Sequence, residues 1–454
     1  MLAAMFGRHS GLSSAQTGAL LVPAVLVGLA GLAGACATSA TNTEHGPSFG
    51  EDAGDGSPPE AATGDDATTD SGPEASPSVD SGRTPDTGSS TDGAGGVEGS
   101  TPDAGEGGPP GDGGGCSSTM ALLAMGASGL AEARFSGGAW SAASTVATGG
   151  APAPALPALV ALPAGFLGAF VSGTQLEGTA YTSAWSAPAP IGTRTAQGTP
   201  ALVAAGSSAY VVYWGGVGDG KYYLGSYSGS WDSAADPVEA DGGAQSFGSS
   251  APAAAAVDAS VVVVQSGTNG TLYDQTWTSG AWQAASAHTG TSVVPTLSPA
   301  VVALQGGTAD LMVVYVRATD DHLESTTRSG GIWSAPAEVY DVSGNIAYTG
   351  FTPTLAALPS GGAIVVWQGG NNMAYDSVYV PGAGWSAPVQ VPSTTTVVAP
   401  PAVATGVCGA SATAAYVLTE GQVAVTSLTG AVWSTPVTIT GATGMQSVAV
   451  ATSP

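Results

Sequence analysis

Seven tryptophans return at a nearly fixed spacing. They are Trp140, Trp185, Trp231, Trp282, Trp333, Trp385 and Trp433, at intervals of 45, 46, 51, 51, 52 and 48 residues. A Gly- or Ser-bearing turn precedes each, and Ser-Ala-Pro follows Trp185, Trp333 and Trp385. A period of this length belongs to repeat architectures, in which one supersecondary unit buries its faces by stacking on copies of itself. The repeat constrains the fold sharply and leaves the ligand unnamed.

Within each period, short apolar runs bounded by Gly, Ser, Asn and Pro recur in one order. Around Trp385 they cover 353–358, 363–368, 373–380 and 385–391. Runs so spaced read as antiparallel strands, and four per period read as one propeller blade. First runs are small and proline-led, as in Pro157-Ala-Leu-Val-Ala and Pro299-Ala-Val-Val-Ala, which suits a crowded axis. Second runs, such as 209–214 and 311–316, are nearly continuous hydrophobes, as in a strand covered on both faces. Fourth runs carry Pro188, Pro237, Pro336, Pro388 and Pro436, tolerable on an outer edge. The repeated Trp is expected to wedge between neighbouring blades. The first period lacks a first strand before 120–125, and Ser447-Val-Ala-Val-Ala451 supplies one. The expected fold is therefore all-β: a seven-bladed β-propeller of four-stranded antiparallel blades, closed by the C-terminal strand.

Residues 1–35 have the layout of a secretory signal, with Arg8, an apolar run 19–35 and small residues at its end. The ending Leu32-Ala33-Gly34-Ala35-Cys36 resembles a bacterial lipoprotein signal. That resemblance implies acylation at Cys36 and a membrane anchor. Ala37, rather than Asp, implies sorting to the outer membrane, facing the periplasm or the cell surface. Residues 36–115 form an acidic linker of Gly, Ser, Thr, Pro, Asp and Ala. Its stretch 41–115 holds 16 of the 33 Asp and Glu in the chain. It has too little apolar surface to offset the entropy of ordering and is expected to be disordered. The propeller spans 116–454. Ring closure would make the segments bearing Cys116 and Cys408 neighbours, and an exported protein permits a disulfide between them.

The chain carries a net charge of -26 with 9% charged residues, so it offers no basic surface for nucleic acid. Four histidines and three scattered cysteines make a zinc site improbable. No metal, cofactor or catalytic residue is expected, and the protein reads as a monomer. The turn before each Trp resembles the Asp-box of sialidase-type propellers, but its defining Asp is missing in every copy. Residues 117–454 also resemble fucose-binding lectin propellers, which set a Glu on the third strand, an Arg near the second and an aromatic from the next blade. Glu324, and less well Glu177, fall at the matching third-strand position. The matching Arg place holds Asp310, and Arg317 follows the strand instead.

Binding is expected on the face formed by the second-to-third-strand loops and the links between blades, because loops on a rigid scaffold usually carry it. The candidates there are Trp214, Asp219, Arg317, Asp320, His322, Glu324, Trp367 and Asn371. Trp214 and Trp367 could stack on a sugar ring, or could instead be core residues ending buried strands. The expected function is a non-catalytic glycan-binding module. The alternatives are a protein–protein scaffold at the cell envelope and a degenerate glycoside hydrolase.

Overall fold

The computed structural model describes residues 118–148, 155–215, 221–232, 236–238, 250–307, 309–339 and 351–453. The signal 1–35 with Cys36, the linker 36–115, Cys116 and Asp219 lie outside the described residues. Every regular element described is a β-strand, and all their pairings are antiparallel.

The unit around Trp385 shows how one repeat is built. Its inner strand is Thr354–Ala357, its second Ala363–Gln368 and its third Ala374–Val380. The expected fourth strand is split into Gly384–Trp385 and Val389–Gln390, both paired to the third. The Trp282, Trp333 and Trp433 units split in the same way. Ser386 and Pro388 explain the break. Pro388 has no N–H to give a ladder. Ser386 donates its own N–H to the Val378 carbonyl (2.8 Å), and its Oγ accepts the Val378 N–H (3.0 Å). The Ser377 hydroxyl then donates to the Ser386 carbonyl at 2.8 Å. Ser334 and Ser434 repeat this clamp on Thr327 and Ser427, each at 3.1 Å. The serine after the tryptophan is therefore a structural device that stands in for a missing strand partner.

The described residues form six hydrogen-bonded sheets, where the sequence suggested seven separate blades. The difference lies in Ala189–Ala205, a strand of 17 residues. Its first part pairs with Gln175–Tyr181 of the Trp185 unit, and its second with Ser208–Gly215 of the Trp231 unit. The link between these units thus stays extended and fuses them into one seven-stranded sheet. Gly192 (φ 70°) and Gly198 (φ 67°) let the strand bend without ending.

The inner strands follow one another around an axis. Met445–Thr452 contacts Ala158–Leu162, then come the end of Ala189–Ala205, Ala253–Val257, Ala300–Ala303, Thr354–Ala357 and Ala402–Thr405, which returns to Met445–Thr452. These strands enclose a central channel of about 280 Å³, narrow because Ala and Pro line it. Side-chain hydroxyls clasp neighbours there, as where Thr199 Oγ1 accepts from Leu156 N (2.9 Å) and Thr405 Oγ1 donates to the Ala357 carbonyl (2.9 Å). Met445–Thr452 also pairs along its length with Met120–Gly126, the first described strand, so tail and head share one sheet. Cys408, near the last inner strand, is disulfide-bonded, and its partner lies outside the described residues.

Each repeated tryptophan sits at a boundary between units. The indole N–H of Trp333 reaches Asp274 Oδ1 on the preceding unit's third strand at 3.0 Å. Trp385 reaches Ser325 Oγ (2.9 Å) and Trp433 reaches Asp376 Oδ1 (2.8 Å) in the same manner. Trp231 lies against Gly178, where a Cβ would stand 2.2 Å from its Nε1, so only glycine fits. Trp282 faces the position held by Leu224, and its Nε1 finds no partner among the described residues. Trp140 and Trp185 pack on Phe135 and Tyr181, with ring centroids 5.7 and 5.5 Å apart.

Candidate functional site

The hairpins between second and third strands are built to one plan. In the Trp282 unit, Asn269 Oδ1 accepts from Thr271 N (3.1 Å) and its Nδ2 donates to the Tyr273 hydroxyl (2.7 Å). In the Trp385 unit, Asn371 does the same with Met373 N (3.1 Å) and Tyr375 (2.7 Å). Gly270 (φ 75°) and Asn372 (φ 61°) hold the left-handed position that follows. These two hairpins are neutral and bonded within themselves. Asn371, a candidate ligand residue, is thus engaged by its own turn.

The Trp333 unit changes every polar member of that plan. Asp320 stands where its neighbours have Asn, and Glu324 stands where they have Tyr. Arg317 stands where they have Gly267 and Gly369. Asp321 (φ 59°) takes the left-handed position, so the Asp320-Asp321 pair serves two purposes. Arg317 organises the cluster. Its Nε and Nη2 grip Asp320 at 2.7 and 2.5 Å, Nη1 reaches Glu324 at 2.8 Å, and Nη2 reaches Glu338 at 2.8 Å. His322 Nδ1 lies 3.5 Å from Nη2. Behind them, the Tyr315 hydroxyl donates to Glu324 Oε2 at 2.6 Å.

Hydrogen bonding from Arg317 holds the Asp320 carboxyl down at about 2. The same bond, with those to Glu338 and Glu324, raises the guanidinium well above its ordinary value. Burial first, then the bond to Glu324, pushes the Tyr315 phenol up. The cluster thus sets the carboxyl groups of Asp320, Glu324 and Glu338 around one guanidinium. Every nitrogen of Arg317 is occupied by a carboxylate, so the cation positions acceptors and has little left to grip an anion.

Among the described candidates, Arg317, Asp320, His322 and Glu324 come together, and Trp214, Trp367 and Asn371 stand apart. Trp367 is 2% exposed and packs in the core between the Trp333 and Trp385 units, so it is not part of the loop surface. Trp214 is half-buried, edge-on to Tyr222 with centroids 4.9 Å apart. Glu338 and Tyr315 belong to the cluster and escaped the sequence reading. Glu338 lies on an outer strand, and Tyr315 reads as one more hydrophobe of a buried run. Two other arginines are tied to structure: Arg328 to Asp310 (2.8 Å) and Arg134 to Glu132 (3.3 Å).

No protein-family model matches the chain, and no curated protein matches it. Solved structures do. The BP39L lectin from Burkholderia pseudomallei superposes with a TM-score of 0.58 at 15% identity, over 72% of this chain and 96% of that one. A fucose-specific lectin from Aleuria aurantia gives 0.46 at 16% identity, over 63% and 96%. At such identity the first likeness shows the fold, a β-propeller similar to that lectin's, and the second lies below the level that supports an argument.

Proposed function

We propose that the protein is a non-catalytic carbohydrate-binding module whose ligand site is the Arg317 cluster. One observation carries this reading: the Trp333 hairpin is charged and partly exposed where its neighbours' hairpins are neutral and self-satisfied. Carboxylates held apart by an internal cation are acceptors for sugar hydroxyls. The excess negative charge selects against anionic sugars, so the ligand is a neutral glycan. The lectin fold of a structural neighbour is consistent with this reading.

We further propose that the fused sheets count as seven repeats, as the seven tryptophans suggest. Cys36 carries a lipid anchor, 36–115 is a tether, and the module is displayed from the outer membrane as a monomer. Cys408 then pairs with Cys116, which peptide mapping without reductant would show.

The test is a glycan array probed with the protein and its Glu324→Gln and Arg317→Met variants. Neutral glycans should be retained, with about 10- to 100-fold weaker binding in either variant, the worth of one charged hydrogen bond. Retention of no glycan, or unchanged binding in both variants, refutes the reading. Capture of an envelope protein through the same residues, with no glycan bound, would favour the scaffold alternative.

A further inference from the structure

The seam between the Trp433 and Trp140 units differs from the others. The Trp140 hairpin joins Met120–Gly126 to Gly129–Ser136 through only Ala127 and Ser128. The hairpins 317–322 and 418–422 of other units are longer. Its outer strand, Ser144–Thr148, is five residues where four other units have two, and it bulges as it pairs. A short hairpin beside a long outer strand leaves the seam open on the loop face. A cavity of about 220 Å³ lies there, between hairpin, outer strand and the segment 441–445.

Hydroxyl residues share the wall of this cavity with small apolar ones: Ser128, Ser144, Thr145, Thr148 and Thr443 stand among glycines, alanines and Leu130. No charged side chain lines it. Ser144 Oγ donates to Glu132 Oε1 at 2.8 Å, and Glu132 is 4% exposed. That bond spends the Ser144 proton and leaves its oxygen as an acceptor. The other four hydroxyls make no hydrogen bond among the described residues. Met445 supplies an apolar patch. Uncharged groups that both donate and accept, beside a small apolar surface, suit a ligand with many hydroxyls and C–H faces.

We propose that this seam pocket binds one neutral monosaccharide unit. The ligand class rests on the carbohydrate reading above, but the site is separate from the Arg317 cluster and shares no residue with it. Glu132 behind Ser144 makes the pocket a poor host for a sugar acid.

The test uses the protein carrying ¹³C-methyl methionine, with the Met445 methyl as reporter. Glucose, galactose, mannose and glucuronic acid are titrated separately. At least one neutral sugar should shift the Met445 resonance saturably, with a dissociation constant on the order of millimolar for so small a ligand. The Thr145→Val/Thr443→Val double variant should bind at least about tenfold more weakly, the worth of about 1.4 kcal/mol. Glu324→Gln should leave this titration unchanged. Glucuronic acid should bind more weakly than the neutral sugar.

Absence of any saturable shift, or an undiminished shift in the double variant, overturns the proposal. Should the double variant melt early, Ser128→Leu fills the pocket mouth from an exposed turn, and retained binding in that variant overturns it equally. Glycan-array binding that depends on Glu324, with no Met445 response, would sink the seam pocket alone. A Met445 response without array dependence on Glu324 would sink only the Arg317 site.

Discussion

Asp274 and Asp376 occupy equivalent places on third strands, both are buried, and both accept an indole N–H from the next unit. Their surroundings differ. Burial pushes the Asp274 carboxyl up, but bonds from His288 (2.9 Å), Ser286 (2.5 Å) and Trp333 outweigh it and hold it below the ordinary value. Asp376 has Val389 opposite it in register and, among the described residues, Trp433 alone as side-chain donor, so burial wins and pushes it up to about 6. The sign follows from linkage. A carboxyl raised on folding contributes stability that is complete below its unfolded pKa and is lost as pH rises through the folded value. Going from about pH 4 to about pH 7, ionising Asp376 should therefore cost about 3 kcal/mol, at 1.36 kcal/mol per unit. Asp376→Asn should raise the melting temperature at about pH 8 and leave it nearly unchanged at about pH 4. Val389→Ser, which copies the Ser286 hydroxyl, should recover part of that gain. Asp274→Asn should instead destabilise at neutral pH, because it deletes a carboxylate that its donors favour. Melting curves across this range check all three, and a wild-type curve flat from about pH 4 to about pH 8 would refute the Asp376 argument.

The serine clamps belong to the scale of the strand. Ser334, Ser386 and Ser434 each accept a third-strand N–H that the split outer strand would otherwise leave unpaired. Replacing any one by Ala should cost about 1 kcal/mol, read as a shift in urea midpoint with an unchanged slope. The split itself was not legible from apolar runs: Val389 continues the run, and only the missing N–H of Pro388 and the reach of the Ser386 hydroxyl end it. Inner and second strands were legible, because Pro-Ala-Val-type and Val-Val-Val-type runs meet different surroundings. The fusion of two units was hidden because Gly192, Gly198 and Pro200 read as a link, although a strand can bend at glycine and continue. The site was half legible. Glu324 stood out by its strand position, whereas Arg317 lay outside the expected place. A side chain as long as arginine spans the hairpin to Glu324, and spacing along the chain does not show that reach.

For the whole molecule the consequence is closure. Met445–Thr452 contributes an entire strand to the sheet that begins the ring, and Met445, Val448, Val450 and Ala451 are buried in it. Removing that strand bares the hydrogen-bonding edge of Met120–Gly126, buried at every position, and opens the apolar cluster shared by the first and last units. It also strips the channel of one wall, lined by Val448, Ala449 and Val450. At about 1.5–3 kcal/mol for each large buried aliphatic, the loss rivals the whole stability of about 5–15 kcal/mol expected of a domain. Local contacts cannot compensate, because the bonds at stake join residues 334 positions apart, such as Thr119 N to Ser453 Oγ. A chain ending at residue 445 should therefore lose its cooperative melt by circular dichroism. A synthetic peptide of residues 446–454, added in excess, should restore part of it, since the vacated edge pairs in one register only. A truncated chain that melts with the parent would mean that tail and head are not held together in solution.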